Sequence, residues 1–339
     1  MVCCLLGQIA YLTSESVSQS GLVADQPTPA FKCNIGFMRV PLIIGAGTGW
    51  SATSPLHLTL QRSNKCAHVG LQKESHLLYH VYSDEAWKWR KPWYDFIMGK
   101  SENPHYKNEW HLKDKYAFTE NLDEIEELFT KPTLDTYIKY YKRHYERIKH
   151  EYAYVADFSN SNAMLPQKFL QDIAPELRKH FKIKVLIIFR DPVRRLYSEL
   201  SAQYQYDENI RKKYPTSRDY FWSYLTIGNY SMNCEFVKRI KYYKSIFSTT
   251  TIVSEDLWGG KNDALAKLSN FLHFDIKNLY PNCYYPEMGT KAPHHENLSD
   301  QYKSDLEDLT DDDLSFGRRC LAKYYDEWYD MFGTTPWRC

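Results

Sequence analysis

The chain has 339 residues, 43% of them hydrophobic, so it is long enough to form one large α/β domain with a sizeable core. Its 43 Lys and Arg residues nearly balance 42 Asp and Glu residues, which argues against nucleic acid as the main partner. The eight cysteines include no Cys-x-x-Cys pair, which disfavours a zinc knuckle or a thioredoxin-like site.

The first part of the chain differs in composition from the rest. Residues 2–12 are apolar but follow no positive segment and are too short to cross a bilayer, and residues 14–30 are rich in Ser, Gln and Pro, as in linkers. We therefore predict a flexible leader or stalk over 1–36 and a single domain over 37–339. A degraded signal anchor and a cytosolic leader both stay open. Two glycosylation sequons, at Asn229 and Asn297, favour a secretory route.

The predicted domain opens with an apolar run over 40–44, followed by Gly-Ala-Gly-Thr-Gly over 45–49. This pattern indicates a buried strand that enters a glycine turn, and a helix is expected over 54–61. Residues 87–110 are aromatic and basic with two prolines and predict an irregular insertion. Its Trp-rich run over 87–93 indicates either the lining of an acceptor cleft or a packed loop.

Strands and helices alternate through the rest of the chain. Strands are expected over 152–158, 183–189 and 249–253, and the second is apolar on both faces, as in a central parallel strand. Helices are expected over 121–129, 134–148, 167–180, 193–204, 217–225, 230–245, 264–272, 300–313 and 314–332. The alternation predicts an α/β fold with a mostly parallel central sheet flanked by helices.

The glycine-rich turn is the first candidate anion site. Backbone N–H groups at a helix start favour a phosphate, and the hydroxyls of Thr48, Ser51, Thr53 and Ser54 add donors. The turn is not a Walker A loop, because no Lys follows the glycines. An ordinary tight strand-to-helix turn is the alternative.

The second candidate anion site comes after the predicted central strand, where residues 189–198 read Phe-Arg-Asp-Pro-Val-Arg-Arg-Leu-Tyr-Ser. Ligands of open parallel sheets bind beyond the carboxyl ends of the strands, and the planar guanidinium of Arg190 suits a phosphate there. A helix from Val193 onward brings Ser198 toward the same anion. A structural arginine beside a solvated helix is the alternative.

Together, these two segments resemble the sulfotransferases that use 3′-phosphoadenosine 5′-phosphosulfate (PAPS), within them the Golgi carbohydrate branch that includes heparan sulfate sulfotransferases. The resemblance covers roughly residues 40–335, with gaps, and implies the P-loop-like sulfotransferase fold. It implies that Arg190 and Ser198 bind the 3′-phosphate. It also implies that eight consecutive residues hold the 5′-phosphosulfate: Gly47, Thr48, Gly49, Trp50, Ser51, Ala52, Thr53 and Ser54.

Three further segments resemble the family. Residues 225–230 are similar to its Leu-x-x-Gly-x-Tyr segment near the nucleotide, which implies that Tyr230 binds there. Residues 252–257 resemble the family's next strand and its Glu-Asp-Leu. Lys291 lies where carbohydrate sulfotransferases place a basic loop over the nucleotide, so the resemblance implies a contact from Lys291.

The catalytic candidates are Lys73, Glu74 and His76, which look like the family's Lys-Glu-x-His segment. The family's Glu serves as general base, and a carboxylate within reach of an acceptor hydroxyl can take its proton. Lys73 would keep Glu74 ionised or hold the transferring group, and His76 is a second base candidate. A surface Lys–Glu pair beside a structural histidine is the alternative.

Two positions depart from the family pattern. Trp50 stands where members usually carry Lys or Arg, and Phe158 corresponds to a second Lys of the heparan branch. Removing one charge-stabilising donor from an active site typically costs about 10²–10³ in rate. Either Lys73, Lys291 or His57 supplies the charge, or the enzyme is slow, or the protein is a non-catalytic relative.

The expected activity is in-line sulfuryl transfer from PAPS to a hydroxyl or amine of a glycan or small hydroxylated metabolite, with no metal and no nucleic acid partner. Membrane association is expected only through an N-terminal anchor. The expected location is the Golgi lumen or the secretory pathway, with the cytoplasm as the alternative. A catalytically impaired binding relative and a nucleotide-dependent kinase are the competing functions.

Overall fold

A computed structural model describes residues 39–71, 73–100, 122–228, 235–258, 262–279, 309–334 and 337. The predicted leader, both sequons, Tyr230 and Lys291 lie outside these ranges. The predictions that fall on them therefore stay predictions. Among the helices of the described ranges, none combines the length and the apolar character needed to span a bilayer.

The described ranges contain five strands: β1 (Val40–Gly45), β2 (Ala67–His68), β3 (Tyr154–Asp157), β4 (Phe181–Phe189) and β5 (Ser248–Val253). They form one sheet of order β2-β3-β1-β4-β5 in which the paired strands are all parallel. The predicted α/β fold with a parallel central sheet is therefore confirmed. Strand β2 was not predicted, because two residues are too few to show a pattern.

Helices pack around this sheet. In chain order they are α1 (Thr53–Leu58), α2 (Leu77–Tyr82), α3 (Glu85–Ile97), α4 (Leu122–Thr130), α5 (Leu134–Ile148), α6 (Gln167–His180), α7 (Pro192–Tyr206), α8 (Glu208–Lys213), α9 (Ser217–Ile227), α10 (Phe236–Ile246), α11 (Ser254–Trp258), α12 (Asn262–Leu272), α13 (Asp311–Cys320) and α14 (Ala322–Phe332). A π-helical segment, Thr59–Ser63, continues α1, and a 3-10 helix covers Asn160–Met164.

Alternating side chains of the central strands serve two cores. Leu42 and Val185 belong to the core on one face of the sheet, whereas Ile43 and Leu186 belong to the core on the other. Successive residues of a strand point to opposite faces, so a central strand covered on both sides reads as one apolar run. This explains why the two strands that matter most for the site were visible in the sequence.

The prediction of an irregular insertion over 87–110 is wrong for its described part. Residues 85–97 form α3, which contains Pro92 in its interior. Proline inside a helix costs about 3 kcal/mol relative to alanine. Burial of Ala86 and Tyr94 against the core offsets this cost, and local sequence could not reveal that packing.

The predicted helix over 314–332 is also corrected, because it consists of α13 and α14. The helix is interrupted at Leu321, which is fully buried and lies between α13 and α14. Helix α13 begins at a capping box in which Thr310 and Asp313 exchange hydrogen bonds. The predicted helix over 300–313 lies mostly outside the described ranges.

Candidate active site

The glycine turn between β1 and α1 has an unusual backbone. Trp50 and Ala52 both lie in the left-handed region, with φ of 65° and 61°. Non-glycine residues rarely adopt this conformation, and it persists where the surrounding structure imposes it, often at ligand sites. Successive N–H groups around such residues form concavities that bind anions. Ala52 also occupies the N-cap of α1 without offering a side-chain acceptor.

Close packing requires glycine at two positions of this turn. One is Gly45, whose Cβ would lie 2.5 Å from Cδ1 of Phe158, and the other is Gly47. A Cβ on Gly47 would lie 2.6 Å from Cγ2 of Ile188 and 2.9 Å from Cγ2 of Thr53. A Cβ on Gly49 would meet only ordinary contacts, the nearest 3.5 Å away at Nδ2 of Asn160. The loop therefore packs directly on the end of β4 at Gly47 and is open at Gly49.

The hydroxyl groups predicted to bind the donor differ in their surroundings. Those of Thr48 and Ser51 are buried and lie 2.9 Å apart, within hydrogen-bond distance. Thr53 donates to Oδ1 of Asn160 at 3.1 Å, and Ser54 is exposed. The first two can reorient toward a ligand without moving the backbone, because a hydroxyl hydrogen rotates freely.

Arg190 joins the two predicted anion sites. It follows β4 directly, and its Nη1 donates to Oγ of Ser198 at 2.8 Å and to the carbonyl of Trp50 at 3.4 Å. Strands β1 and β4 are hydrogen-bonded neighbours, so their carboxyl ends lie side by side. Residues from segments about 140 positions apart in the sequence thus meet in one place.

The turn that carries Arg190 is fixed from several sides. Asp191 caps α7 by accepting from the N–H groups of Val193 and Arg194. Tyr325 donates to the same carboxylate at 2.9 Å. The N–H of Asp191 donates to Oε1 of Glu255 at 2.8 Å, so the Glu-Asp-Leu segment contacts this turn. Burial raises the pKa of Glu255.

Glu74 lies at the same edge of the sheet. Its Oε2 accepts from the N–H of Asn160 at 2.7 Å, and its Oε1 pairs with Nζ of Lys73. The Nε2 atom of His76 lies 3.9 Å from Oε2 of Glu74. Burial opposes ionisation, but Lys73 and the Asn160 N–H outweigh it, so the pKa of Glu74 lies below its ordinary value. The carboxylate is therefore ionised at neutral pH.

Asn160 connects Glu74 to the glycine turn and was not predicted as a site residue. Its backbone N–H holds Glu74, while its side chain accepts from Thr53 of α1. The Cβ position of Gly49 is also 3.5 Å from its amide nitrogen. The only sequence signal for this role was that Asn160 comes after a predicted strand, β3, whose carboxyl end lies beside that of β1.

His76 is held in place from the same segment. It has a left-handed backbone, with φ of 50°, and its N–H donates to Oγ of Ser159 at 2.7 Å. Its Nδ1 lies 2.7 Å from Oγ of Ser161. Burial lowers its pKa to about 4, so the imidazole is neutral at physiological pH. Asp157 in turn accepts from the Ser159 hydroxyl at 2.7 Å.

The two departures from the family pattern differ in burial, because Trp50 is half-buried whereas Phe158 lies in the core. Phe158 is 2% exposed and packs against Gly45, so no charged side chain fits its position. His57 is buried and hydrogen-bonded to Gln61, and burial lowers its pKa to about 3. It therefore supplies no positive charge at neutral pH. Of the three substitutes considered, Lys73 is the one that the described ranges place beside Glu74.

The Trp-rich run over 87–93 lies on α3 and contacts the segment that carries Glu74. Trp87 stacks on His80 with ring centroids 5.8 Å apart. Arg90 is 3% exposed and donates to the carbonyl of Glu74. This part of the run packs behind the Lys73–His76 turn and supports it. The side chains of Trp89 and Trp93 lie outside the described part of the chain, so the acceptor-cleft hypothesis stays a prediction.

No protein-family model matches the chain, and no curated protein matches it. Solved structures to which it is similar include a sulfotransferase from Alicyclobacillus acidocaldarius, with 14% identity, a TM-score of 0.46 and coverage of 88% of this chain and 98% of that chain. The sulfotransferase domain of the Synechococcus PCC 7002 olefin synthase has 14% identity and a TM-score of 0.45, with coverage of 85% of this chain and 98% of that chain. A sulfotransferase domain from the curacin biosynthetic pathway has 13% identity and a TM-score of 0.40, with coverage of 89% of this chain and 94% of that chain. Likeness at this level does not define a reaction.

Proposed function

We propose that this protein is a sulfotransferase that moves a sulfuryl group from PAPS to an acceptor hydroxyl or amine. The observation that carries the proposal is the position of Arg190, which contacts both Ser198 and the carbonyl of Trp50. The two predicted anion sites thereby share one edge of the sheet. A nucleotide with anionic groups on both its 3′ and 5′ positions needs two such sites.

In the proposed complex, the loop over 47–54 holds the 5′-phosphosulfate through its N–H groups, and Arg190 with Ser198 holds the 3′-phosphate. Glu74 lies next to the loop because Asn160 contacts both. The acceptor oxygen or nitrogen forms a bond to sulfur while the bond from sulfur to the 5′-phosphate oxygen breaks. Its proton passes to Glu74, and 3′,5′-bisphosphoadenosine leaves.

Negative charge grows on the leaving phosphate during this step. The N–H groups of the turn are fixed by the backbone and need no reorganisation, and electrostatic stabilisation of a transition state requires such fixed groups. Lys73 is the proposed source of the positive charge that Trp50 and Phe158 do not provide. Its ammonium group pairs with Glu74, so binding of an anionic group nearby would draw it away from the carboxylate and leave Glu74 a stronger base.

The acceptor proposed is a glycan or a small hydroxylated metabolite, and the proposed compartment is the Golgi lumen or the secretory pathway. The sequons at Asn229 and Asn297 support the secretory route. The secretory route is tested by expressing the protein in a eukaryotic host and treating it with an N-glycosidase. A loss of mass on this treatment would support the secretory route. An unchanged mass would favour the cytoplasm.

A second candidate function is nucleotide binding without turnover. It is favoured by Phe158, which fills an apolar position beside the loop where the heparan branch carries a lysine. Such a protein would keep both anion sites and would lack only the charge needed in the transition state. The two candidates therefore agree on binding and differ in transfer.

Both steps can be measured on the full chain. We expect 3′,5′-bisphosphoadenosine to raise the melting temperature and ATP with Mg²⁺ not to, since a ligand that binds only the folded state stabilises it. Transfer of labelled sulfate from PAPS to a panel of glycans and small alcohols tests the reaction. Stabilisation by ATP alone would instead support a kinase, and bisphosphate binding without transfer would support the second candidate.

The role of Glu74 is tested by Glu74→Gln. We expect transfer to fall by about 10²-fold or more while bisphosphate binding is retained. The variant loses the proton acceptor and the ion pair with Lys73 but keeps an oxygen that can accept from the Asn160 N–H. Glu176→Gln is the matched control, since Glu176 is a surface residue that pairs with Lys179 far from the loop in sequence. Equal activity of the two variants would remove Glu74 from the mechanism.

A further inference from the structure

Arg195 is a buried arginine to which no sequence pattern assigned a role. It lies on α7 between Arg190 and Ser198 in sequence, and it is 1% exposed. Its Nη1 donates to the carbonyl of Gly49 at 3.0 Å, and its Nη2 pairs with Oε2 of Glu199 at 2.7 Å. The segment from Arg190 through α7 thus carries both predicted 3′-phosphate residues and a direct contact to the predicted 5′ loop.

The contact to Gly49 determines where the next N–H group points. A trans peptide unit is planar, and its C=O and N–H point in opposite directions. Because the carbonyl of Gly49 points toward Arg195, the N–H of Trp50 points away from it. The carbonyl of Trp50 accepts from Arg190 in the same manner, which directs the N–H of Ser51 similarly. Two consecutive N–H groups of the turn are thereby oriented by two arginines of one segment.

The backbone of the turn needs such support. Trp50 has a φ of 65°, which costs energy for a residue other than glycine, and the conformation persists only where its surroundings hold it. A buried guanidinium is itself costly unless it is paired and hydrogen-bonded. The Gly49 carbonyl and Glu199 pair its two terminal nitrogens, whereas its buried Nε has no hydrogen-bond partner among the described residues. Arg195 is therefore placed to impose the loop geometry.

We propose that Arg195 is a positioning residue that orients the peptide between Gly49 and Trp50, so that the turn binds the 5′-phosphate group of the nucleotide at a fixed distance from the 3′-phosphate site. This inference rests on the proposed function. It assigns Arg195 no contact with the nucleotide. Its effect is selective, because it acts on the 5′ side and leaves the Arg190–Ser198 pair in place.

The selectivity can be measured with two ligands that differ only in the 5′-phosphate. Adenosine 3′,5′-bisphosphate and adenosine 3′-monophosphate are titrated calorimetrically into the wild-type protein and Arg195→Lys. A lysine keeps the charge but cannot donate to Gly49 and Glu199 with the same fork. We expect about tenfold weaker binding of the bisphosphate, the size expected from losing an oriented hydrogen bond, and unchanged binding of the monophosphate.

Two further variants separate positioning from stability. Arg194→Lys is the matched control on the adjacent residue and should leave the ratio of the two affinities unchanged. Glu199→Gln keeps the guanidinium and its bond to Gly49 but weakens the pairing, so it should lower the melting temperature without changing the ratio. A purely structural role for Arg195 would instead lower the melting temperature in Arg195→Lys and weaken both ligands equally.

The outcomes distinguish the inference from the function on which it rests. Selective loss of bisphosphate affinity in Arg195→Lys supports the positioning role. An unchanged ratio in that variant, with wild-type protein binding the bisphosphate normally, overturns the positioning role and leaves the proposed function intact. A wild-type protein that does not bind the bisphosphate overturns the proposed function, and the positioning role with it.

Discussion

Replacing Gly47 by alanine should disrupt the glycine turn between β1 and α1 through a single methyl group. The new Cβ would come within 2.6 Å of Cγ2 and 3.0 Å of the carbonyl oxygen of Ile188 and within 2.9 Å of Cγ2 of Thr53. Ordinary contacts of this kind begin near 3.4 Å, so the loop and the end of β4 must separate by several tenths of an ångström. Overpacking of a close-packed site costs about 1–3 kcal/mol.

The two consequences are a lower melting temperature and weaker nucleotide binding. If the folded protein relaxes by displacing the loop, the same 1–3 kcal/mol corresponds to about 5-fold to 150-fold weaker binding of 3′,5′-bisphosphoadenosine. Differential scanning fluorimetry with and without the nucleotide, together with calorimetric titration, measures both effects.

Gly49→Ala is the matched control for this prediction. It adds the same methyl group two residues along the same loop, where the nearest atom is 3.5 Å away and the backbone is not left-handed. We expect its melting temperature to stay close to wild type. If Gly47→Ala behaves like Gly49→Ala, the loop does not pack on Ile188 in solution, and the reasoning about the site geometry is refuted.

Three further predictions concern charge. The rate of sulfuryl transfer should not fall through protonation of Glu74 until the pH is below about 4.5, the ordinary pKa of a glutamate. The contribution of Glu74 to the free energy of unfolding is likewise complete above that pH and is lost below it, because the pKa of Glu74 is lowered in the folded protein. Lys73→Met removes the nearest cation, so the pKa of Glu74 rises and the acid limb of the pH–rate profile should move to higher pH; an unmoved limb would contradict the ion pair. Trp50→Lys should raise turnover by up to about 10²-fold. Phe158→Lys should only lower the melting temperature, since it buries a charge in the core. Equal gains in turnover from both variants would contradict the different burial of the two residues.

The sequence determined those parts of the site that depend on neighbouring residues. A two-sided apolar run identifies a central strand, and the residues directly after such a strand must lie at the carboxyl edge of the sheet. This was enough to place the glycine turn after β1 and Arg190 after β4 in the same region, and their observed contact agrees with it. The same local reasoning failed for α3, whose helix depends on packing that outweighs Pro92.

Only the tertiary structure decided how the parts of the site connect. Asn160 contacts Thr53 across 107 positions, and Arg195 contacts Gly49 across 146. No sequence signal gave either residue a role, because an asparagine after a strand and an arginine on a helix occur in many proteins. Their roles depend on which strands are neighbours and on the direction of each peptide unit, and these are set by packing of the whole sheet. Local sequence therefore identified the proposed anion-binding groups, whereas the fold determined their orientation and spacing.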